Sequence, residues 1–215
     1  MKWSIEYYVA SSGKRPVEEF IDFLSPESKS RYIFIADLLE EYGLNVKEPY
    51  VKSIKGYRKL FEIRIKDRAN IHRIFYFAYT GKKFILLHGF TKKTEKTPQN
   101  EIEIALKRMQ DYISRKGDIM TYTYREHRKK LLKSKAVREA YKKLLPEYEL
   151  TKSIIEQRIK KKMTQDDVAK RTGMPQSTIA RIEGLTHGLP KLSTLKKIAD
   201  ALDSRLIIRL QAKNR

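Results

Sequence analysis

Strand-like segments are confined to one part of this chain, and their distribution is the strongest constraint on its fold. Three runs rich in β-branched and aromatic residues follow one another closely, at 59–66, 71–79 and 83–90. Runs of this kind joined by tight turns predict an antiparallel meander. From about residue 124 onward the apolar spacing is helical. The sequence therefore predicts an α+β domain, with helices packed on an antiparallel-rich sheet, followed by an all-α domain.

Helix signals flank the meander. Ser25 and Pro26 are typical of an N-cap and a first helical position, and Gly43 is typical of a helix end. Thr97 and Pro98 predict the start of another helix after the last strand.

The second half is predicted to contain a helix over about 124–145 that Pro146 ends, and another over 150–162. We expect a first domain over 1–117, a linking helical segment over 120–149, and a last domain over 150–215. An apolar run near the C-terminus, 205–210, carries the only later strand signal; it would pair across a two-fold axis or extend the first domain's sheet.

Charge narrows the choice of partners. The net charge is +21; residues 1–119 hold 23 basic and 16 acidic residues (+7), and the remainder holds 24 and 10 (+14). Such an excess favours a polyanion, usually nucleic acid. The chain has no cysteine, which excludes disulfides and thiolate chemistry. No apolar run approaches a membrane span or a signal peptide, so we expect a cytoplasmic protein without a membrane partner.

The stretch 164–183 has the organisation of a helix-turn-helix. Thr164 is suited to cap the first helix, and Gly173 to a left-handed turn. The second helix begins with short polar side chains of the kind that read base edges. The predicted DNA-binding residues are Gln165, Gln176, Ser177, Thr178 and Arg181.

Basic residues interleave with aromatic residues in the strand region, a combination that suits RNA because cations bind phosphate and rings stack on unpaired bases. Arg64 and Arg73 lie on strands that hold them rigidly, and an ion pair with Glu62 or Asp67 is the structural alternative for both. His88 is the most plausible acid or base by its ordinary pKa, a buried structural histidine being the alternative. The predicted RNA-binding residues are Lys55, Arg58, Lys66 and Lys96. Scattered carboxylates predict no metal site and no cofactor.

Two resemblances to known families sharpen these expectations. The stretch 164–183, followed by 193–202, resembles the Xre/Cro-repressor family, which implies a DNA-binding domain that dimerises on two half-sites. The segments 60–65, 72–77 and above all 88–98 (HGFTKKTEKTP) resemble the HigB branch of the RelE toxin superfamily.

The RelE-type resemblance implies an mRNA interferase that cuts messenger RNA on the ribosome. On that pattern Arg64 and Arg73 match the residues that hold the scissile phosphate. Lys92 or Lys93 matches the basic position after the last strand, and Phe90 and His88 lie among the neighbouring site residues.

Residues 121–163 resemble the start of HigA-type antitoxins, so the whole chain is similar to a toxin and its antitoxin joined near Met120. Met120 is either a former start codon or a chance methionine. The helix over 124–145 is expected to restrain the toxin part sterically, without covering Arg64 and Arg73. Because the second part is itself basic, we expect it to pack by apolar contact through Leu131, Leu132, Val137 and Leu144.

Two other functions remain open. One is a transcription factor whose first domain senses a ligand or binds RNA without cutting it; the other is a metal-dependent DNA nuclease. Growth of cells that express 1–119 alone would distinguish the toxin from both.

Overall fold

The computed structural model of the chain describes residues 2–67, 70–92, 97–115, 121–184 and 189–209. These residues form two compact units, Met1–Pro146 and Glu147–Arg215. Within the described ranges, no helix is long and apolar enough to cross a membrane.

A six-stranded sheet in the order β2-β3-β4-β5-β1-β6 forms the centre of the first unit. The strands are β1 (Ser4–Tyr7), β2 (Val51–Ser53), β3 (Leu60–Lys66), β4 (Ile71–Tyr79), β5 (Lys83–Lys92) and β6 (Tyr122–Thr123). The predicted meander is confirmed, since β3, β4 and β5 pair antiparallel in sequence order. β1 joins this meander in parallel with β5, and β6 adds to the free edge of β1.

Helices cover both faces of the sheet. α1 (Pro16–Asp22) and α2 (Pro26–Tyr42) pack on one face, and α3 (Gln99–Ser114) packs on the other. The predicted cap at Ser25 is confirmed: its side chain accepts a hydrogen bond from Ser28 N, and α2 ends at Gly43. Thr97 does not cap α3, whose N-cap position is Pro98.

Gly89 on β5 allows α1 to approach the sheet closely. A Cβ at this position would lie 2.3 Å from the ring of Phe20. His88 and Phe90, on either side, therefore point to the face that α3 covers, because side chains alternate along a strand.

The linking region differs from the predicted single helix. α4 (Tyr124–Leu131) ends before Ser134, and α5 then runs from Lys135 to Lys160 with Pro146 inside it. The predicted break at Pro146 is therefore wrong. The missing N–H of Pro146 removes one helical hydrogen bond, but the rest of α5 on both sides is retained.

The second unit is helical, as predicted. α6 (Gln165–Thr172), α7 (Gln176–Gly184) and α8 (Leu192–Ala201) pack with the end of α5 around a small apolar core. Ile179 and Ile182 belong to that core, as their spacing predicts. Of the apolar run 205–210, the described residues 205–209 form no strand.

Candidate functional site

Most of the residues predicted to act on RNA meet on one face of the sheet. Strand pairing places Arg64, Arg73 and Phe90 side by side across β3, β4 and β5. The flanking rows are Lys66–Ile71–Lys92 on one side and Glu62–Phe75–His88 on the other. Because paired residues of neighbouring strands share a face, all three rows face the α3 side. We call Glu62, Arg64, Lys66, Arg73, His88, Phe90 and Lys92 the candidate site.

Glu62 lies between the two arginines. Arg64 and Arg73 are directly opposite, with Cα atoms about 5 Å apart, so their like charges repel. Arg73 Nη1 forms a short ion pair with Glu62 Oε1, and Arg64 Nε lies 3.6 Å from the same oxygen. Arg64 also donates to Glu48 at 3.3 Å. Glu62 therefore compensates the repulsion, and the structural alternative foreseen for Arg73 is present.

The two arginines differ in accessibility. The Arg73 side chain is only 4% exposed, and that of Arg64 is 30% exposed. Burial lowers the pKa of Arg73, with a further contribution from Arg64, while Glu62 opposes the shift. Among the described residues, Arg73 Nε and Glu62 Oε2 are buried without a hydrogen-bond partner. Such atoms destabilise a fold by about 1–3 kcal/mol each, so this site retains unused donor and acceptor capacity.

His88 is engaged by α3. Arg108 Nη1 lies 3.0 Å from His88 Nδ1, and His88 Nε2 forms a short hydrogen bond with Glu101. Because arginine only donates, Nδ1 accepts and Nε2 carries the proton. Burial lowers the pKa of His88, against the opposing effect of Glu101. His88 is therefore a neutral imidazole with a fixed orientation. The sequence did not predict its two partners, Glu101 and Arg108, because they lie on a different element, α3, and no local pattern relates them to the strand.

The remaining predicted RNA-binding residues lie at the margins. Lys66 is exposed and Lys92 is partly exposed. Lys55 and Arg58 are exposed in the β2–β3 turn, which a hydrogen bond from Gln99 to Tyr57 places beside the start of α3. Lys93 and Lys96 lie outside the described residues, as does Met120.

Within the first unit, a second polar cluster joins residues 122–131, which we call the docking segment, to α1 and α2. Three of its basic side chains meet carboxylates of α1 and α2. Lys130 donates to Glu18 at 2.9 Å and to Asp22 at 2.7 Å. The others pair as Arg128 with Asp37 and Arg125 with Glu40.

The docking segment therefore attaches through charge complementarity, contrary to the expectation of purely apolar packing. The prediction considered only the positive net charge of the first part, and this sum does not reveal that carboxylates of α1 and α2 form a local acidic surface. Leu131 and Val137 are buried as predicted, whereas Leu132 and Leu144 are only partly buried.

A buried chain of hydrogen bonds runs beneath these ion pairs. Tyr32 Oη lies 2.6 Å from Tyr7 Oη, which lies 2.7 Å from His127 Nδ1, and His127 Nε2 lies 3.1 Å from Asp22. Burial alone would raise the pKa of Asp22, but hydrogen bonds from Lys130 and His127 outweigh it and lower that pKa. An ionised Asp22 accepts from His127, so His127 Nδ1 accepts from Tyr7, which in turn accepts from Tyr32.

The sequence suggested that Asp22 is isolated from other metal-ligating side chains, but in the structure it lies together with Glu18 and His127. In the described ranges these three form the one group whose spacing could hold a metal ion. The ammonium of Lys130 already bonds both carboxylates. Lys130 therefore supplies the positive charge that the group requires.

The helix-turn-helix has the predicted local geometry. Thr164 caps α6 through reciprocal hydrogen bonds with Asp167, and Gly173 has a φ of 68° in the left-handed region. Arg158 and Glu183 form a buried pair at 2.6 Å and 3.0 Å. This pair ties the end of α5 to α7.

Gln165 is buried rather than free to reach outward. It donates to Glu183 at 2.8 Å and accepts from Gln176 at 2.8 Å. Gln176, Ser177 and Arg181 are exposed on α7, and Thr178 is partly exposed and accepts from Arg181 at 3.2 Å. The predicted base-reading residues thus lie together on one helix, with Gln165 orienting the first of them.

Comparison with known families agrees with this division. Residues 19–110 match the family described as phage derived protein Gp49-like (DUF891), a RelE/toxin-like family. Residues 154–207 match the helix-turn-helix family model. No curated protein matches the chain. The chain thus carries a toxin-like Gp49 domain in its N-terminal part and a helix-turn-helix DNA-binding domain in its C-terminal part.

Proposed function

We propose that residues 1–117 form a ribosome-dependent mRNA endonuclease of the HigB type that works without a metal ion. Residues 120–149 restrain it, and residues 150–215 act as a HigA-type antitoxin that binds operator DNA as a homodimer and represses transcription. The observation that carries the catalytic proposal is the row Arg64–Arg73–Phe90, flanked by Glu62 and His88 on the same sheet face.

The proposed reaction is an internal transfer. The 2′-hydroxyl attacks the adjacent phosphorus and the P–O5′ bond breaks, which leaves a 2′,3′-cyclic phosphate and a 5′-hydroxyl. Arg64 and the unpartnered Nε of Arg73 hold the phosphate oxygens as charge develops. Lys66, Lys92 and Lys93 bind flanking phosphates.

Proton transfer needs a base and an acid on opposite sides of the phosphate. Glu62 and His88 lie two strands apart, about 10 Å, with Arg73's strand between them. We assign Glu62 as the group that accepts the 2′-hydroxyl proton and His88 Nε2–H as the donor to the leaving oxygen. In the resting protein Glu62 is held by Arg73 and His88 by Glu101, so substrate phosphate must displace these partners.

The proposed restraint acts from the side. β5 and β1 separate the β6 edge, where the docking segment lies, from β4. We infer that residues 120–149 obstruct entry into the ribosome and leave Arg64 and Arg73 uncovered.

Expression of 1–119 in cells tests the catalytic proposal. We expect growth arrest, with messenger RNA cut within codons and carrying 2′,3′-cyclic phosphate ends. Arg64→Ala, which changes a partly exposed side chain, should restore growth. The truncation removes the buried Tyr124 and His127, so Trp3 fluorescence must show that 1–119 is folded, with 1–146 as the restrained comparison. Normal growth with folded, soluble 1–119 contradicts the proposal.

The engagement of Arg73 and His88 by protein groups favours one alternative: a transcriptional regulator whose first domain senses a ligand or binds RNA without cleaving it. Normal growth together with binding of a small molecule or RNA by the full chain would establish it. A DNA nuclease would instead require metal-dependent cutting of naked DNA.

A further inference from the structure

A row of cations on α4 and the first half of α5 faces solvent. Residues 124–145 contain nine basic and two acidic residues, a net charge of +7. Arg125, Arg128 and Lys130 are used in the ion pairs of the docking segment. Five others are exposed and, among the described residues, form no salt bridge: Lys129, Lys133, Arg138, Lys142 and Lys143. We call these five the outer basic surface.

The geometry of α5 separates the outer basic surface from the packed side of the helix. Val137, Tyr141 and Leu144 recur at helical spacing on one side, where Val137 is buried. Arg138, Lys142 and Lys143 project from the other side. Arg138 Nη1 also donates to Leu132 O and Lys133 O at 2.8 Å each, which fixes the junction between α4 and α5. The cations therefore lie on two ordered helices and on the junction between them.

A solvated face that serves solubility alone would mix both signs of charge. Here carboxylates of α1 and α2 pair with the inner cations. Both acidic residues of 124–145 are exposed but engaged, Glu126 in the cap of α4 and Glu139 with Lys135, so among the described residues the outer basic surface keeps five cations without an ion pair. Such a field attracts phosphates, and each phosphate contact releases condensed counterions.

We propose that the outer basic surface binds the phosphate backbone of duplex DNA, as a second contact in addition to that of the helix-turn-helix. Duplex DNA is the polyanion favoured because α5 continues from this surface into the helix-turn-helix domain. A duplex held by that domain is therefore at high effective concentration near these lysines. Lys130 forms the ion pairs to Glu18 and Asp22, whereas the adjacent Lys129 forms no salt bridge among the described residues, so DNA binding at Lys129 leaves the ion pairs of the docking segment in place. The inference rests on the DNA-binding function proposed for the C-terminal domain.

The test compares two charge-matched variants of the full chain. One carries K129Q, K133Q, K142Q and K143Q; the control carries K2Q, K14Q, K47Q and K107Q, four exposed lysines elsewhere. Binding to a labelled mixed-sequence duplex of about one to three helical turns is followed by fluorescence anisotropy at several NaCl concentrations. Each lost phosphate contact reduces the slope of log K against log salt by about 0.9, so we expect a reduction of about 2–4 in the first variant and none in the control.

The outcomes distinguish DNA binding by this surface from DNA binding by the helix-turn-helix domain. If both variants keep the wild-type slope and affinity, the outer basic surface does not bind DNA and the inference is wrong. If the first variant binds duplex DNA like the wild type but loses affinity for single-stranded RNA of equal length, or for phosphatidylserine vesicles, the inference is also wrong and the surface binds that other ligand. If the wild-type chain binds no duplex at all, the proposed operator binding fails as well. Circular dichroism checks that both variants are folded.

Discussion

At the scale of single residues, the Glu62–Arg73 pair decides whether the candidate site is a structural ion pair or a phosphate-binding device. Both side chains are about 4% exposed, so neither charge is screened by water. Removing one partner of such a pair leaves an uncompensated buried charge, whereas replacing both by apolar residues is often tolerated. The two kinds of substitution therefore separate stability from function.

We expect Glu62→Gln to lower the free energy of unfolding of the first unit by about 3–5 kcal/mol, because Arg73 stays buried and charged. The double variant E62L/R73M should recover most of that loss. It should nevertheless abolish toxicity in the 1–119 form, since it removes both the proposed base, Glu62, and one of the two arginines proposed to hold the scissile phosphate. Urea titration followed by Trp3 fluorescence reports on this unit alone, because Trp3 is the single tryptophan and stacks on Phe84 at 4.4 Å. A toxic E62L/R73M variant would show that the pair is only structural.

His127 makes the first unit sensitive to acid. Burial lowers its pKa below 6.5, although Asp22 and Glu18 oppose the shift. A depressed folded-state pKa means that the unfolded chain binds a proton first. The stabilisation is therefore present above about pH 6.5 and is lost as the pH falls. The groups that face the imidazole from other elements are Tyr7, Glu18, Asp22, Tyr32 and Tyr122.

We expect the free energy of unfolding of the first unit to fall between pH 7 and pH 5, and to fall less in H127Q, which cannot titrate. His88 also has a lowered pKa and acts with the same sign, so H88Q/H127Q should show the flattest profile. The lowered pKa of Asp22 acts only below its ordinary value of 3.8, outside this window. Identical pH profiles for wild type and H127Q would refute the assignment.

At the scale of elements, sequence pattern predicted what depends on local signals. Alternation located β3, β4 and β5, and capping residues located α2, α6 and the left-handed turn at Gly173. Alternation also brought Arg64 and Arg73 into consideration, because period-two spacing fixes which residues share a face. Phe90 came into consideration as a site residue only through the resemblance to the RelE toxin superfamily.

The remainder depends on partners distant in sequence. β6 has only two residues and no alternation of its own, and it exists because β1 offers an open edge. The charges of the docking segment are compensated by Glu18, Asp22 and Asp37, roughly a hundred positions earlier. His88 likewise receives Glu101 and Arg108 from a helix that follows it. No local pattern encodes such contacts.

Two helices, α4 in the docking segment and α6 in the second unit, begin with the same kind of N-cap. Removing each cap in turn tests whether α4 contributes to the stability of the first unit, with α6 as the control. Thr123 caps α4 with Glu126, and Thr164 caps α6 with Asp167. Loss of an N-cap side chain destabilises a helix by about 1 kcal/mol. Thr123→Ala should therefore shift the urea transition seen by Trp3, whereas Thr164→Ala should leave that transition in place and change only the helical signal at 222 nm. An unshifted Trp3 transition in Thr123→Ala would mean that α4 does not stabilise the first unit.

At the scale of the whole molecule, one short segment connects the proposed activities. Residues 122–131 complete the sheet of the first unit, bury Tyr124 and His127 in it, and precede the helix that leads into the DNA-binding domain. If this segment is the restraint, detaching it within an otherwise intact chain should release the toxin.

We expect the full chain to be tolerated by cells and the variant R128E/K130E to arrest their growth. The new carboxylates would stand against Asp37 and against Glu18 with Asp22, where attraction becomes repulsion. Adding Arg64→Ala should suppress the arrest if it is enzymatic. Growth curves after induction, with soluble protein measured in parallel, give the readout.

The matched control is K129E/K133E, which makes the same change in charge at an exposed position of the docking segment and at an exposed position just after it. It leaves every ion pair to α1 and α2 intact, so it should be tolerated like the wild type. Arrest by both variants would trace the effect to charge alone. Tolerance of R128E/K130E, with 1–119 toxic and the docking ion pairs demonstrably broken, would instead place the restraint in α5 or the second unit.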